Sequence, residues 1–119
     1  MATFSKNILS SSSSGRGILV ATNSTAGQLI HTGPTNTSYL DEVWVYVQNN
    51  HTSSVDVSVE WGSTTAPNDI VALSVLPASG LVLVIPGLIL KGNASPLVVR
   101  CFASVVNKIT VHGYVNEIR

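Results

Sequence analysis

The chain has 119 residues, of which 45% are hydrophobic and only 10% charged, and its formal net charge at pH 7 is +0. That length suits one domain with one core, and the charge falls well below the roughly 25% usual for globular domains. The basic residues Lys6, Arg16, Lys91, Arg100, Lys108 and Arg119 are scattered, so no basic stripe offers nucleic acid a field to bind. The longest apolar run, "ALSVLPASGLVLVIPGLIL", is broken by Pro77, Gly80, Pro86 and Gly87, which argues against a membrane helix of ~20 residues.

Residues 1–17 read as an N-terminal arm, flexible or ordered by a partner, in which residues 1–9 form a short arm or an edge strand, and residues 18–119 as the folded domain. Ser10 to Ser14 form a polar link ending at Gly15, too poor in apolar area to fix its own conformation. Ile18–Thr22 is the first clear strand, a turn follows at Asn23–Gly27, and Gln28–Thr32 is the second strand. From Tyr39 to Gln48 the pattern strengthens, with Val43, Val45 and Val47 on one face and Trp44 and Tyr46 on the other. Two apolar faces predict a central strand, or a strand with one face against another subunit.

"NNHTSS" supplies a turn, and Val55–Trp61 returns with clean alternation, so these two strands are expected to pair as a hairpin. Val55, Val57, Val59 and Trp61 should enter one packed layer, with Asp56, Ser58 and Glu60 facing solvent or a polar contact. Ile70–Leu76 and Leu81–Ile85 are read as paired strands around "PASG", and Pro86-Gly87 as a turn or bulge before Leu88–Leu90. Leu97–Ala103 and the alternating segment from Ile109 to Asn116 complete the set. Gly113 inside the last strand marks a bend or a close backbone approach. With no helical periodicity, the fold class is all-β: a single-domain antiparallel β-sandwich, jelly-roll-like, with a small barrel as the other architecture.

Chemical signatures are sparse. The sole cysteine, Cys101, lies in the apolar strand "LVVRCFASV", which makes it a small core residue and excludes an intrachain disulfide. His31, His51 and His112 have no close Cys, His or acidic partners at zinc-ligand spacing, so no metal site is expected. Asp56 and Glu60 share a strand face about 13 Å apart, beyond the roughly 5–10 Å of a glycosidic carboxylate pair. With no phosphate-cradling loop, nucleophile elbow or positioned base, no catalytic residue and no cofactor is assigned. The N-terminus lacks an apolar signal core, which points to synthesis in the cytoplasm.

Aromatic residues carry what remains. Trp44, Tyr46, His112 and Tyr114 occupy the outward phases of their strands and are the interface candidates. Trp61, Asn68 and Asp69, at a strand end and in the loop after it, are the ligand-binding candidates, a sugar being the ligand that suits them.

The arm "SSSSGRG", the strands of "PASGLVLVIPGLIL" and the ending "VNKITVHGYVNEI" together resemble small structural proteins of tailed bacteriophage particles. The likeness is greatest to capsid decoration or cement proteins. It implies a virion protein that binds the major capsid protein or other virion proteins, and a homo-oligomer, with a trimer as the expected order. It also implies a domain bridging coat subunits through a sheet face while residues 1–17 extend over a neighbour. Head–tail connectors, tail proteins and a carbohydrate-binding or receptor-binding virion component are the alternatives.

Overall fold

The computed structural model describes residues 2–119. Nine strands run in order: β1 (Phe4–Ile8), β2 (Ile18–Leu19), β3 (Gln28–Thr32), β4 (Leu40–Asn49), β5 (Val55–Gly62), β6 (Ile70–Val75), β7 (Val82–Lys91), β8 (Val98–Ala103) and β9 (Ile109–Ile118). They form two antiparallel sheets, β1-β9-β4-β7 with β2 also on β9, and β3-β8-β5-β6. Taking β1 and β2 as one interrupted strand, pairing runs first with last, second with seventh, third with sixth and fourth with fifth. That is the pattern of a long hairpin rolled up, a jelly roll.

The core lies between the sheets and is rich in valine. Val43, Val45 and Val47 of β4, Val55, Val57 and Val59 of β5, and Val111 and Val115 of β9 are all buried, joined by Ile30, Ile85, Val99 and Ile109. Alternation places these residues on one face of each strand, and their β-branched side chains suit a pleated, half-buried surface. Cys101 is buried among them. Burial, and secondarily the charge of Glu60, push its thiol up to about 12.

Three sequence expectations change. Val43–Gln48 and Val55–Trp61 do not pair as a hairpin. β4 bonds to β7 and β9, while β5 bonds to β6 and β8 in the other sheet. The 50–54 connection crosses the sandwich, and Asn49 ties it down by donating to the Ser53 and Val75 carbonyls. Likewise β6 and β7, read as partners, belong to opposite sheets. Alternation tells which face of a strand is buried but not which strand lies beside it.

The N-terminal segment is the third change. β1 is hydrogen-bonded along β9, Leu9 is fully buried, and the Ser11 amide donates to the Ile30 carbonyl. Within the serine run, the Ser12 hydroxyl donates to the Arg16 carbonyl at 2.6 Å. Residues 2–17 are therefore ordered by their own chain. One apolar anchor and a set of backbone bonds supply what the serines lack.

Candidate functional site

Two regions gather the chemistry, the outward face of the five-stranded sheet and the sandwich end where β4 and β8 begin. On the outward face, strand register brings Trp44 beside Tyr114 and Tyr46 beside His112. All four interface candidates thus share one surface, two adjacent rows across β4 and β9. Trp44 and Tyr114 stack with ring centroids 6.0 Å apart and planes 10° from parallel. On the far side of Tyr114, the Lys6 ammonium sits 4.9 Å from the ring centroid. On the far side of Trp44 lies Gly87, where a Cβ would come within 2.8 Å of the indole.

Lys6, Tyr114, Trp44 and Gly87 therefore form a stacked row running across four strands. Each ring is thus bracketed along the row by a neighbour on either side. The Trp44 indole N–H donates to Glu42 at 2.7 Å, and the Asn116 amide donates to the same carboxylate oxygen at 3.0 Å. These two bonds, the indole's first, hold the Glu42 carboxyl below its ordinary value. Gly113 permits the row, because a Cβ there would meet the Trp44 carbonyl oxygen at 2.0 Å. It marks a close approach of backbones, as its place in the strand suggested.

Around that row exposed apolar side chains stand among the polar ones. Phe4 is 68% exposed, and Leu83 and Ile89 on β7 are 43% and 47% exposed. His112 is held within the surface by a 3.2 Å contact with Thr110 and by Gly17 packed against its ring.

At the sandwich end there are two separate hollows. One, of about 320 Å³, is lined by Trp61, Gly62, Ser63, Asp69, Ile89, Leu90, Lys91 and Leu97. Two of the three ligand candidates, Trp61 and Asp69, line it, and Asn68 does not. Trp61 also packs on the core, so it closes the core edge and walls the hollow at once. The Ser63 hydroxyl donates to Asp69 at 2.6 Å, and the Trp61 amide donates to the Asp69 carbonyl at 2.7 Å. The 62–69 loop is thereby folded back on its own strand.

The second hollow, of about 240 Å³, is where sequence reasoning missed a cluster. His31, Asp41, Ser10 and Glu117 line it with Asn7, Thr32 and several apolar residues. His31 Nδ1 accepts the Ser10 backbone N–H at 3.0 Å, and its Nε2–H donates to Asp41 Oδ2 at 2.7 Å. Both residues are buried. The signal was present: Asp41 lies in phase with Val43, Val45 and Val47, and Glu117 with Val111 and Val115. A carboxylate in the apolar phase of a strand marks either a strand end or a buried site.

Ser10, His31 and Asp41 are the residue types of a hydrolytic triad, but the geometry differs. The ring nitrogen that would take a proton from a nucleophile already accepts a main-chain N–H, and the Ser10 hydroxyl oxygen itself accepts the Thr32 amide at 2.7 Å. A triad needs the base free to accept from the serine hydroxyl. Among the described residues no group of three or more His, Cys, Asp or Glu could hold a metal ion.

Glu60, expected on a solvated or polar-contact face, is 1% exposed. It does keep the outward phase, but the 22–27 segment folds over it. Its carboxylate accepts the Gly27 amide at 2.7 Å and the Thr25 hydroxyl at 2.6 Å, while Arg100 donates to the Gly27 carbonyl at 3.0 Å. The pair clamps a loop, a structural duty.

Comparison with known proteins adds no relative: no protein-family model matches the chain, and neither a curated protein nor a solved structure does. No helix among the described residues is long and apolar enough to cross a membrane.

Proposed function

We propose that this chain is a non-enzymatic structural domain that docks on a protein lattice through the outward face of its five-stranded sheet, as a decoration protein of a tailed-phage capsid. The observation that carries the reading is that face itself. Phe4 on one edge strand and Leu83 and Ile89 on the other stand exposed on either side of the Trp44–Tyr114 stack, and apolar surface gathered on one face favours a contact site. Aromatics held rigid by their neighbours add buried area on docking at little entropic cost. Low charge supports contacts made by shape and apolar area, and many copies on one lattice turn a modest single affinity into firm attachment. Jelly rolls serve viral shells and lectins alike, so the fold favours neither over the other. The His31 geometry supports a role without catalysis.

The test is sedimentation with assembled coat shells. The protein should pellet with shells at a fixed copy number, and a Leu83→Ser/Ile89→Ser variant should remain largely in the supernatant. A folded wild type that ignores the shells overturns the reading.

A second reading, a carbohydrate-binding module, draws on the hollow beside Trp61, with Ser63, Asp69 and Lys91 as polar lining. Stacking on an aromatic wall with a carboxylate nearby suits a sugar. Glycan titration followed by tryptophan fluorescence tests it, with Trp61→Phe as the control. A signal change in wild type that Trp61→Phe abolishes supports it, and an unchanged signal removes it.

A further inference from the structure

The sandwich has two long sides, and the chain seals only one of them. Where β1 and β3 run, Leu9 enters the core and residues 10–12 cap the free edge of β3. The Ser11 amide donates to the Ile30 carbonyl there, and the Thr32 amide to the Ser10 hydroxyl at 2.7 Å. On the other side, where β6 and β7 are the edges, the inner phase lies open. Val71, Leu73, Val82 and Val84 pack on the core yet are only half-buried, and Leu88, opposite the inward Val43, is 42% exposed. Sheet edges are commonly blunted by charge, proline, bulges or a covering segment. β1 carries Lys6, β7 carries Pro86 and two register shifts against β4, and β3 has a shift besides its cap. Among the described residues β6 alone has none of these. Its register with β5 is unbroken, and no charged residue occurs from Ile70 to Leu90.

We propose that β6 is a dimerisation edge, pairing antiparallel with β6 of a second copy about a two-fold axis at Leu73. The ladder phase sets the register. Because the Trp61 amide donates to the Asp69 carbonyl, Val71, Leu73 and Val75 turn their main-chain groups to β5, and Ala72 and Ser74 turn theirs outward. Those outward groups are self-complementary. With Leu73 opposite its mate, each Ala72 exchanges N–H and C=O bonds with the other copy's Ser74. The two Leu73 side chains then meet about 5 Å apart at Cβ, which carries the core across the axis and covers inner-phase residues that each copy leaves half-buried. An uncharged edge lets identical copies approach without repulsion, and the contact is isologous and closed. A foreign strand would gain the main-chain bonds without the Leu73 match. The pairing joins the two four-stranded sheets into one and gives a dimer in place of the trimer that the resemblance implied. It uses none of Phe4, Leu83 and Ile89, so it is independent of the docking face.

Sedimentation of the full chain over a concentration series tests this. Wild type should pass from the mass of one chain to twice that mass. Ala72→Pro removes an edge donor from each copy while sparing the bonds to β5, and should weaken association about tenfold or more. Should that variant fail to fold, Ala72→Lys, at an exposed position, should weaken it comparably by placing charge on the edge. Under mild oxidation Leu73→Cys should give a covalent dimer. Leu76→Cys should not, because its mate lies about 20 Å away across the same axis. A wild type that stays monomeric at every attainable concentration, or forms a trimer, overturns the proposal. So does a dimer that neither folded Ala72 variant weakens, or equal cross-linking through Leu76→Cys. A monomer whose Ala72 and Ser74 amides gain protection from exchange only on adding coat shells gives the edge to another protein and overturns it as well.

Discussion

On the four-stranded sheet the outward face carries Asp56, Ser58, Ser74 and Arg100, with Ala72, Phe102 and the half-buried Leu29 and Ile70 among them. The Ser74 hydroxyl donates to Asp56, and where Glu60 goes under, the chain closes its own 22–27 segment over it with matched donors. On the five-stranded sheet the outward face mixes Lys6, Glu42, His112 and Asn116 with aromatic and aliphatic side chains, and nothing covers Phe4, Leu83 or Ile89. One face is thus finished within the chain and the other is not. A sandwich needs only its inner faces to fold, and the proposed docking uses the apolar residues that the outer face of the five-stranded sheet leaves exposed.

The comparison can be strained first at the backbone. Gly113→Val must displace the Trp44 carbonyl from a position 2.0 Å from the new Cβ, parting β9 from β4. We expect a loss of roughly 3 kcal/mol or more, since overpacking against fixed neighbours already costs about 1–3 kcal/mol, seen as a lower urea midpoint or failure to fold. Next comes the clamp on the other face. Glu60→Ala leaves the Gly27 amide buried without its acceptor and should cost roughly 3 kcal/mol, the order expected for charge-assisted bonds and the groups they satisfy. A change below about 0.5 kcal/mol, the size of ordinary surface substitutions, would mean that Glu60 does not finish its face.

Cys101 gives a finer probe of the same sheet. With its thiol pushed up to about 12 by burial first and the Glu60 charge second, it should resist thiol reagents at pH 8 until the protein unfolds. The folded pKa is raised, so this group weakens stability as pH climbs above the ordinary thiol value of 9.0, where only the unfolded thiol ionises. Labelling should quicken in Glu60→Ala in step with its loss of stability. Reaction as fast as that of a free thiol in the folded protein would contradict the buried assignment.

Smaller effects belong to the unfinished face. Leu83→Ser and Ile89→Ser should each change stability by no more than about 0.5 kcal/mol while weakening attachment, because their side chains face outward in the free chain. Glu42 has a depressed pKa, so its contribution is present above its ordinary value of 4.5 and is lost as pH falls through the lowered one. The indole signal of Trp44 should therefore hold steady from pH 8 to 5 and shift only in stronger acid. A transition nearer neutrality would contradict the hydrogen bonds assigned to Glu42.

Much of this was legible in the chain. Strands and their inner faces followed from alternation, Cys101 from its apolar neighbours, and the outward phase of Trp44, Tyr46, His112 and Tyr114 from their strands, though not that one surface holds all four. Partnership was not legible. A jelly roll sends β4 and β5 to opposite sheets through a loop that resembles a hairpin turn, and only long-range pairing decides between the two. Glu60 kept the phase that alternation gave it, but the segment that buries it lies over thirty residues earlier in the chain. Asp41 and Glu117 were readable as carboxylates in an apolar phase, whereas their meeting with His31 required β3 to end beside β4. Trp61 closes the core edge, as its phase required, and still lines a hollow.

The central claim is that docking uses the apolar outward face and not the polar one. The most direct measurement is co-sedimentation with assembled coat shells of three folded proteins: wild type, Phe4→Ser/Leu83→Ser/Ile89→Ser, and a Ser58→Glu control on the four-stranded sheet. The account predicts that wild type and Ser58→Glu pellet alike while the triple variant stays in solution. Retention of the triple variant on the shells, with loss of Ser58→Glu, would contradict it.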